Sequence, residues 1–226
     1  MKKISNVLII LMLAILVFQI NTNAQEFKKY YQKSGKLVQK LTGNATGEQT
    51  LIWDDYGAKE LTISKMNMMG MSIEQYALYV NNNFYTWGNQ EPNVKHFSDD
   101  AVEELAKRKY TADDYANLSK EMMKQSKFVE KDSETVLGKN CIVWENPDGI
   151  KIWGWKNLTL QMTMNAMGMS LKYEPVSLEL DIDVPAGTFD LPKDKTVEEK
   201  IDQSKENNST KMIEIMDNMS KTGTNN

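Results

Sequence analysis

Apolar and polar residues alternate between residues 158 and 184, which is the period-two pattern of β-strands with one buried face. The apolar parity shifts by one position near Asn165-Ala166 and shifts back near Glu174-Pro175. Because a strand cannot change its buried face without an irregularity, each shift predicts a turn or a β-bulge. One-faced antiparallel strands of this kind predict a curved sheet, or an open part-barrel, with one apolar side.

The segment from 36 to 87 shows a similar strand rhythm, interrupted by turn signals. Clusters at 43–47, 54–57 and 81–83 are rich in Gly, Asn and Asp, which favour tight turns. Another tight turn is predicted at Asn146-Pro147-Asp148-Gly149, because Pro presets φ and Gly accepts a positive φ. Both halves of the chain therefore read as short strands joined by hairpins.

The middle of the chain has helical spacing instead. Ser98 and Thr111 each precede acidic residues, an arrangement typical of a helix N-cap followed by a first turn that the helix dipole stabilises. Tyr115, Leu118 and Met122 then recur at intervals of three and four residues. We expect two short helices, at 99–108 and 112–125.

Residues 1–24 have the pattern of a cleaved signal peptide. Lys2 and Lys3 precede an apolar run from Val7 to Phe18, which is too short to cross a bilayer but suits a secretory segment. Small residues at Thr22 and Ala24 predict cleavage after Ala24, and no Cys follows the run, which argues against a lipoprotein. We therefore expect a protein exported to the periplasm or the extracellular space, with no transmembrane segment after cleavage. A permanent N-terminal anchor is the alternative.

Composition narrows the classes of function. A net charge of −4 argues against a nucleic-acid partner, and a single Cys with a single His cannot build a Cys-rich zinc site. Cys141, beside Ile142 and Val143, is predicted to be a small buried core residue, and His96 to lie in a solvated surface loop. No nucleophile elbow, phosphate loop or calcium loop occurs. We expect a non-enzymatic protein without catalytic residues or a cofactor.

The methionines form a near-repeat. Residues 66–73 (Met-Asn-Met-Met-Gly-Met-Ser-Ile) recur as residues 164–171 (Met-Asn-Ala-Met-Gly-Met-Ser-Leu), with six of eight positions identical. Flexible, polarizable Met side chains suit a packed core, or a cavity that accepts varied apolar shapes. Thioethers also bind Cu(I). The residues of this alternative copper site are Met66, Met68, Met69, Met71, Met164, Met167 and Met169.

Three segments give the chain a family resemblance. They are 137–144 (Leu-Gly-Lys-Asn-Cys-Ile-Val-Trp), 152–158 (Ile-Trp-Gly-Trp-Lys-Asn-Leu) and 184–192 (Val-Pro-Ala-Gly-Thr-Phe-Asp-Leu-Pro). In this order they resemble the exported DUF4412-type proteins of Bacteroidetes, which are similar to the LolA/LppX superfamily of lipoprotein carriers and lipid-binding proteins. The resemblance covers 137–192 and extends to 26–90 only through the strand rhythm.

The resemblance implies a mainly β (α+β) fold, in which a curved antiparallel half-barrel over 25–192 is covered by short lid helices at about 99–125. Members of the superfamily with a known role hold acyl chains in the cavity of that half-barrel. The cavity residues that we assign in this chain are Met162, Met164, Met167, Met169, Leu171, Leu178, Leu180, Met68 and Met71.

Three hypotheses for function follow. The first is a binding protein that holds a lipid or another hydrophobic small molecule in a Met-rich cavity. The second is a periplasmic Cu(I)-binding protein that uses the repeated motif. The third is an envelope interaction module without a small ligand, in which the polar tail 193–226 contacts a protein partner through an amphipathic helix at 210–220.

Overall fold

The computed structural model describes residues 28–80, 83–98, 111–166 and 168–202, which form a β-sheet and a helix. The first six strands are β1 (Gly35–Gly43), β2 (Ala45–Asp54), β3 (Lys59–Met68), β4 (Met71–Val80), β5 (Asn83–Gly88) and β6 (Lys95–Ser98). The helix α1 (Ala112–Gln125) follows. The remaining strands are β7 (Val129–Val136), β8 (Lys139–Glu145), β9 (Ile150–Trp155), β10 (Leu158–Ala166), β11 (Met169–Leu180) and β12 (Ile201–Asp202).

All twelve strands belong to one sheet, in the order β12-β6-β5-β4-β3-β2-β1-β11-β10-β9-β8-β7. Neighbouring strands are antiparallel except β12, which lies parallel to β6. The sheet consists of two meanders that meet where β1 pairs with β11. It is not closed, because β7 and β12 are its two edges. The predicted mainly β fold with an open antiparallel sheet is confirmed.

The two parity shifts correspond to one turn and one bulge. The first lies at the turn between β10 and β11, where Gly168 has a φ of +76°. The second is a β-bulge in β11, because Val38 of β1 pairs with Ser177 while the next residue of β1 pairs with Pro175. This register leaves Val176 unpaired, and both irregularities lie where the sequence predicts them. The turn predicted at 146–149 is also present, with Gly149 at a φ of +82°.

Helix α1 begins and ends where the sequence predicts the second helix. Its N-cap Thr111 forms a capping box with Asp114, and the buried residues Ala112, Tyr115, Leu118 and Met122 form one stripe. The predicted helix 99–108, the signal peptide 1–24 and the stripe 210–220 lie outside the described residues. No helix within the described ranges is long and apolar enough to cross a membrane.

The two faces of the sheet can be assigned from the register of β1 to β4. Trp53, Glu60 and Tyr79 lie opposite one another on the face that we call the inner face. Helix α1 packs against this face, since its Tyr115 is buried within electrostatic range of Glu60 and Tyr79. The helix is therefore placed over the inner face at the end of the sheet where β1 and β3 begin.

The outer face of β3, β4 and β5 has its own apolar cluster, which consists of Leu61, Leu78, Trp87 and Val94. The segment after β11 returns across this face, where Phe189 and Leu191 pack against the cluster. This segment, residues 181–200, is called the strap below. It is fixed further along by the backbone of Val94, which donates to Thr196 and accepts from Glu198. The strap therefore covers the outer face of this half of the sheet, while α1 covers one end of its inner face.

Candidate apolar binding site on the inner face

One end of the inner face carries a methionine cluster. Its buried members come from six strands and are Leu41, Ala45, Met66, Met68, Ile73, Met162, Met164, Leu171 and Tyr173. The register explains their meeting, because Ala45 lies opposite Met68 on one side of the sheet and Met164 lies opposite Leu171 on the other. Ile150, Ile152, Ala166 and Met169 are partly buried and pack against the cluster.

The Met repeat corresponds to two equivalent hairpins. Met68 pairs with Met71 across a two-residue turn in which Met69 and Gly70 both have a positive φ, as a type I′ turn requires. In the second copy Ala166 pairs with Met169 across the turn that contains Gly168. The same short sequence therefore builds a two-residue hairpin connection twice.

Both Met hairpins lie at one rim of the sheet, with the β1–β2 turn between them. The backbone N–H of Asn44 donates to the Ser170 carbonyl at 2.8 Å, and the Asn44 side-chain oxygen accepts from the Ser170 N–H at 2.6 Å. At this rim Met69 is 76% exposed and Met71 is 53% exposed. The methionine cluster thus continues to the surface through the β3–β4 turn.

The structure brings together four of the predicted cavity residues, namely Met68, Met162, Met164 and Leu171. Met169 packs against them, whereas Met71 is exposed at the rim. Leu178 and Leu180 lie apart from the methionine cluster, in a second cluster with Leu37 and Trp53. Met167 lies outside the described residues. The cluster also contains residues outside the predicted cavity set, namely Leu41, Ala45, Met66, Ile73 and Tyr173. Of these, Met66 is predicted only for the copper alternative, and Leu41 and Tyr173 follow the strand alternation.

The copper alternative predicts that seven Met side chains converge. Met66, Met68 and Met164 are buried in the methionine cluster, and Met169 packs on it. Met69 and Met71 instead expose their side chains on the β3–β4 turn. The described residues contain no group of three or more His, Cys, Asp and Glu side chains suited to a metal ion. Only the buried part of the predicted copper set shares one environment.

A polar row crosses the middle of the inner face next to the methionine cluster. It consists of Gln39, Gln49, Ser64 and Gln75, which lie on β1, β2, β3 and β4 and are paired in register. The first three residues are buried and hydrogen-bonded to one another. This row is not among the predicted site residues, although Gln39 shares the parity of its buried neighbours Leu37 and Leu41.

The other end of the inner face holds a buried ion pair. The Lys29 ammonium donates to Glu60 Oε2 at 2.6 Å, and the Tyr30 hydroxyl donates to the same oxygen at 2.6 Å. Burial, followed by the charge of Glu60, raises the pKa of Tyr30 well above its ordinary value of 10. The pKa values of Tyr79 and Tyr115 are raised for the same reasons. Because their pKa values are raised, these phenols add no negative charge beside Glu60. The Glu60 carboxylate therefore has Lys29 as its counter-ion.

The Asn157 side chain connects this end of the sheet to α1. Its Nδ2 donates to the Lys29 carbonyl at 2.8 Å and to the Ala112 carbonyl at 2.9 Å. The Tyr31 hydroxyl also donates to Asp113 in the first turn of the helix. The start of the described chain and the helix N-terminus are therefore held together over the inner face.

A separate open cleft of about 800 Å³ lies beneath the strap. It is lined by eight residues of the segment 184–193 together with Asp54, Lys59, Val80, Asn83 and Tyr85. None of the predicted cavity residues lines it. His96, close by, stacks on Tyr85, with a ring-centroid distance of 4.6 Å, and its Nε2 lies 2.8 Å from Asn83 Oδ1. Burial, followed by the charge of Lys200, lowers its pKa. The sequence placed His96 in a solvated loop, which is wrong because it lies on β6, half-buried and stacked.

Cys141 lies on β8 and is fully buried in the cluster that contains Trp53 and Leu160, as the sequence predicts. Burial raises the pKa of its thiol. A buried thiol that stays protonated is a poor nucleophile, so Cys141 is a core residue.

No protein-family model matches the chain, and no curated protein matches it. Among solved structures it is similar to a "beta-barrel-like" protein of the domain of unknown function DUF1849 from Brucella abortus. The two share 13% identity with a TM-score of 0.38, over 68% of this chain and 100% of that one. The fold and the site therefore define the class from this structure itself: an open antiparallel β-sheet with an apolar cluster and a helix on its inner face.

Proposed function

We propose that the protein is an exported, non-enzymatic binding protein that holds a lipid or another apolar molecule against the methionine cluster. The observation that supports the proposal is the composition of that cluster, in which four Met side chains from two distant hairpins pack together and continue to an exposed rim. Unbranched Met side chains change rotamers easily, so they can separate and repack around an inserted chain while the strand hydrogen bonds stay intact.

Binding would be driven by burial of apolar ligand surface, at roughly 25 cal/mol per Å² before the ordering terms are subtracted. The resemblance to exported lipid carriers supports the same ligand class and the same location, the periplasm or the extracellular space. We propose that residues 1–24 are removed on export, which N-terminal sequencing of the secreted product would test. An N-terminus at Gln25 is expected, and an intact leader would contradict export by this route.

Native mass spectrometry of the mature chain, purified after export without detergent, tests the binding proposal. We expect additional mass in the range of an acyl lipid, or uptake of a fatty acid after incubation. The variant Met164→Asp places a carboxylate in the methionine cluster and should lose this mass. Thr163→Asp is the matched control, since it changes the adjacent position of β10, outside that cluster.

Circular dichroism must show that both variants fold. Retention of the ligand mass by folded Met164→Asp, or absence of any uptake by the wild type, would contradict the proposal. The milder replacement Met164→Gln keeps the length of the side chain while adding polarity, and it takes the place of the first variant if Met164→Asp does not fold.

Cu(I) binding is the second candidate, favoured by the shared environment of Met66, Met68 and Met164. An anaerobic titration against a competing chelator should show a site in the wild type and none in the double variant Met66→Leu/Met164→Leu. Leucine keeps the volume and apolarity of the cluster, so this variant removes only the thioethers. Equal competition by the two proteins would eliminate the copper function.

A further inference from the structure

The hydrogen bonds of the polar row run in one direction. Gln39 Nε2 faces two carbonyl oxygens, those of Thr159 at 3.2 Å and Leu160 at 2.9 Å, so this end of the amide must be the donor. Gln39 Oε1 then accepts from Gln49 Nε2 at 3.2 Å. Gln49 Oε1 in turn faces Ser64 Oγ at 3.2 Å, which commits the only hydroxyl proton of Ser64 to Gln49. Beyond that bond, the Ser64 oxygen offers only lone pairs.

Gln75 continues the row but does not join its hydrogen bonds. It lies opposite Ser64 in the β3–β4 register, so the two side chains emerge on the same face. On its other side Gln75 pairs with Gly88 of β5. The Gln75 side chain uses the space left by this glycine, since a Cβ at position 88 would stand only 3.3 Å from Gln75 Cγ. The Gln75 Oε1 atom is buried and has no hydrogen-bond partner among the described residues. A buried amide oxygen in this state is unfavourable, and a bound donor would satisfy it.

The residues next to this oxygen on the inner face indicate which kind of molecule would carry the donor. On the rim side, the next inner-face pair is Met66 and Ile73, both of the methionine cluster. From Ser64 to Met68 at the rim the strand advances about 13 Å, at roughly 3.3 Å per residue. A ligand whose polar group meets Gln75 can therefore lay an apolar chain along the cluster toward the rim.

We propose that the ligand of the inner face is an amphiphile with an uncharged hydrogen-bond donor, a hydroxyl or an amide N–H, that binds Gln75 Oε1 beside Ser64. This inference rests on the proposed function and adds the chemistry of the ligand's polar group. An ionised carboxylate or phosphate has only acceptors, so it would face the oxygens of Gln75 and Ser64 without a proton to share. With the Gln75 amide in this orientation, the site favours a neutral donor over an anion at this position.

Three probes with the same acyl chain separate these cases: 1-monolaurin, which carries hydroxyls; methyl laurate, which has no donor; and laurate, which is an anion. We expect calorimetry on the mature chain to show that monolaurin binds the wild type at least tenfold more tightly than the other two. Gln75→Leu should remove this preference while methyl laurate binds as before. Gln90→Leu, the same change in an exposed turn, should keep the preference.

The outcomes distinguish failure of the donor site from failure of the apolar binding function. Equal affinities of the wild type for monolaurin and methyl laurate, or an unchanged preference in Gln75→Leu, would overturn the donor site and leave the apolar binding function standing. Failure of all three probes to bind would overturn both. The comparison of probes on the wild type decides the question even if Gln75→Leu does not fold, and Ser64→Ala then supplies the second variant.

Discussion

Replacing Glu60 by glutamine should destabilise the protein strongly, because it leaves a buried ammonium without its counter-ion. The side chains of Lys29 and Glu60 are only 7% and 5% exposed, and their charged atoms lie 2.6 Å apart. Glutamine keeps an oxygen that can accept from the Tyr30 hydroxyl, so the main change is the loss of one charge from a buried pair. Water cannot easily solvate the Lys29 ammonium in this position.

The magnitude follows from that burial. Breaking a buried ion pair by removing one partner destabilises proteins by about 3–5 kcal/mol. Because the hydrogen bond to Tyr30 is retained, we expect a loss at the lower end of this range, about 3 kcal/mol. Domains have total stabilities of about 5–15 kcal/mol, so this is a substantial fraction. With a urea slope of about 2 kcal/mol per molar, the unfolding midpoint should fall by roughly 1.5 M.

Urea unfolding followed by Trp fluorescence measures this shift, since the Trp53 ring lies 5.0 Å from the Tyr30 ring beside the ion pair. Glu121→Gln is the matched control, because its partner Lys124 lies at a similar 2.6 Å but the two side chains are 42% and 59% exposed. An exposed pair contributes less than about 1 kcal/mol. Equal shifts in the two variants would refute the reasoning. The double variant Lys29→Met/Glu60→Gln should recover stability, because it removes the unpaired charge.

Burial raises the pKa of Tyr173 from 10 to about 12, so its stabilising contribution is complete below pH 10 and is lost as the pH rises toward 12. Tyr173→Phe should make the alkaline fall in unfolding free energy shallower, while the other phenols with raised pKa values keep their share of it. Gly43→Ala should lower the melting temperature more than Gly138→Ala, since both positions have a positive φ but only at Gly43 would the new Cβ meet backbone, 2.0 Å from the Ser170 oxygen. Phe189→Ala should reduce the free energy of unfolding by about 2 kcal/mol, because a half-buried ring leaves the outer cluster. An unchanged pH profile in Tyr173→Phe would contradict the first expectation. Equal melting temperatures of the two glycine variants would contradict the second, and an unchanged unfolding curve of Phe189→Ala would contradict the third.

The strands were predictable because alternation is a property of consecutive residues. The parity shift at Glu174-Pro175 identified the bulge at Val176 without any knowledge of the partner strand. Helix α1 was predictable for the same reason, since its cap and its apolar stripe both lie within fifteen residues of sequence. These features depend on local chemistry that tertiary contacts did not override.

The candidate site was only partly predictable, because its assembly depends on which strands become neighbours. Leu178 pairs with Leu37 and joins the second cluster, whereas Met162 pairs with Tyr173 in the methionine cluster, although the sequence assigns both to one cavity. The buried ion pair joins residues that are 31 positions apart, and neither residue carries a sequence signal for burial. The sequence predicts a loop at His96, because a four-residue strand between turn signals gives too short a pattern to recognise.

Hydrogen bonding within the sheet explains why most of the polar row is buried on the inner face. The β-bulge at Leu160 leaves carbonyl oxygens for a side chain to satisfy, and Gln39 donates to them. Its own oxygen then needs a donor, which Gln49 supplies, and the oxygen of Gln49 needs the Ser64 hydroxyl. The sequence of requirements ends at Ser64, because a hydroxyl that donates once is satisfied. Gln75 meets none of these requirements, and an apolar residue there would avoid burying an unpaired amide oxygen. The packing of the sheet therefore accounts for three residues of the row, and the fourth, Gln75, is the residue that the proposed ligand would satisfy.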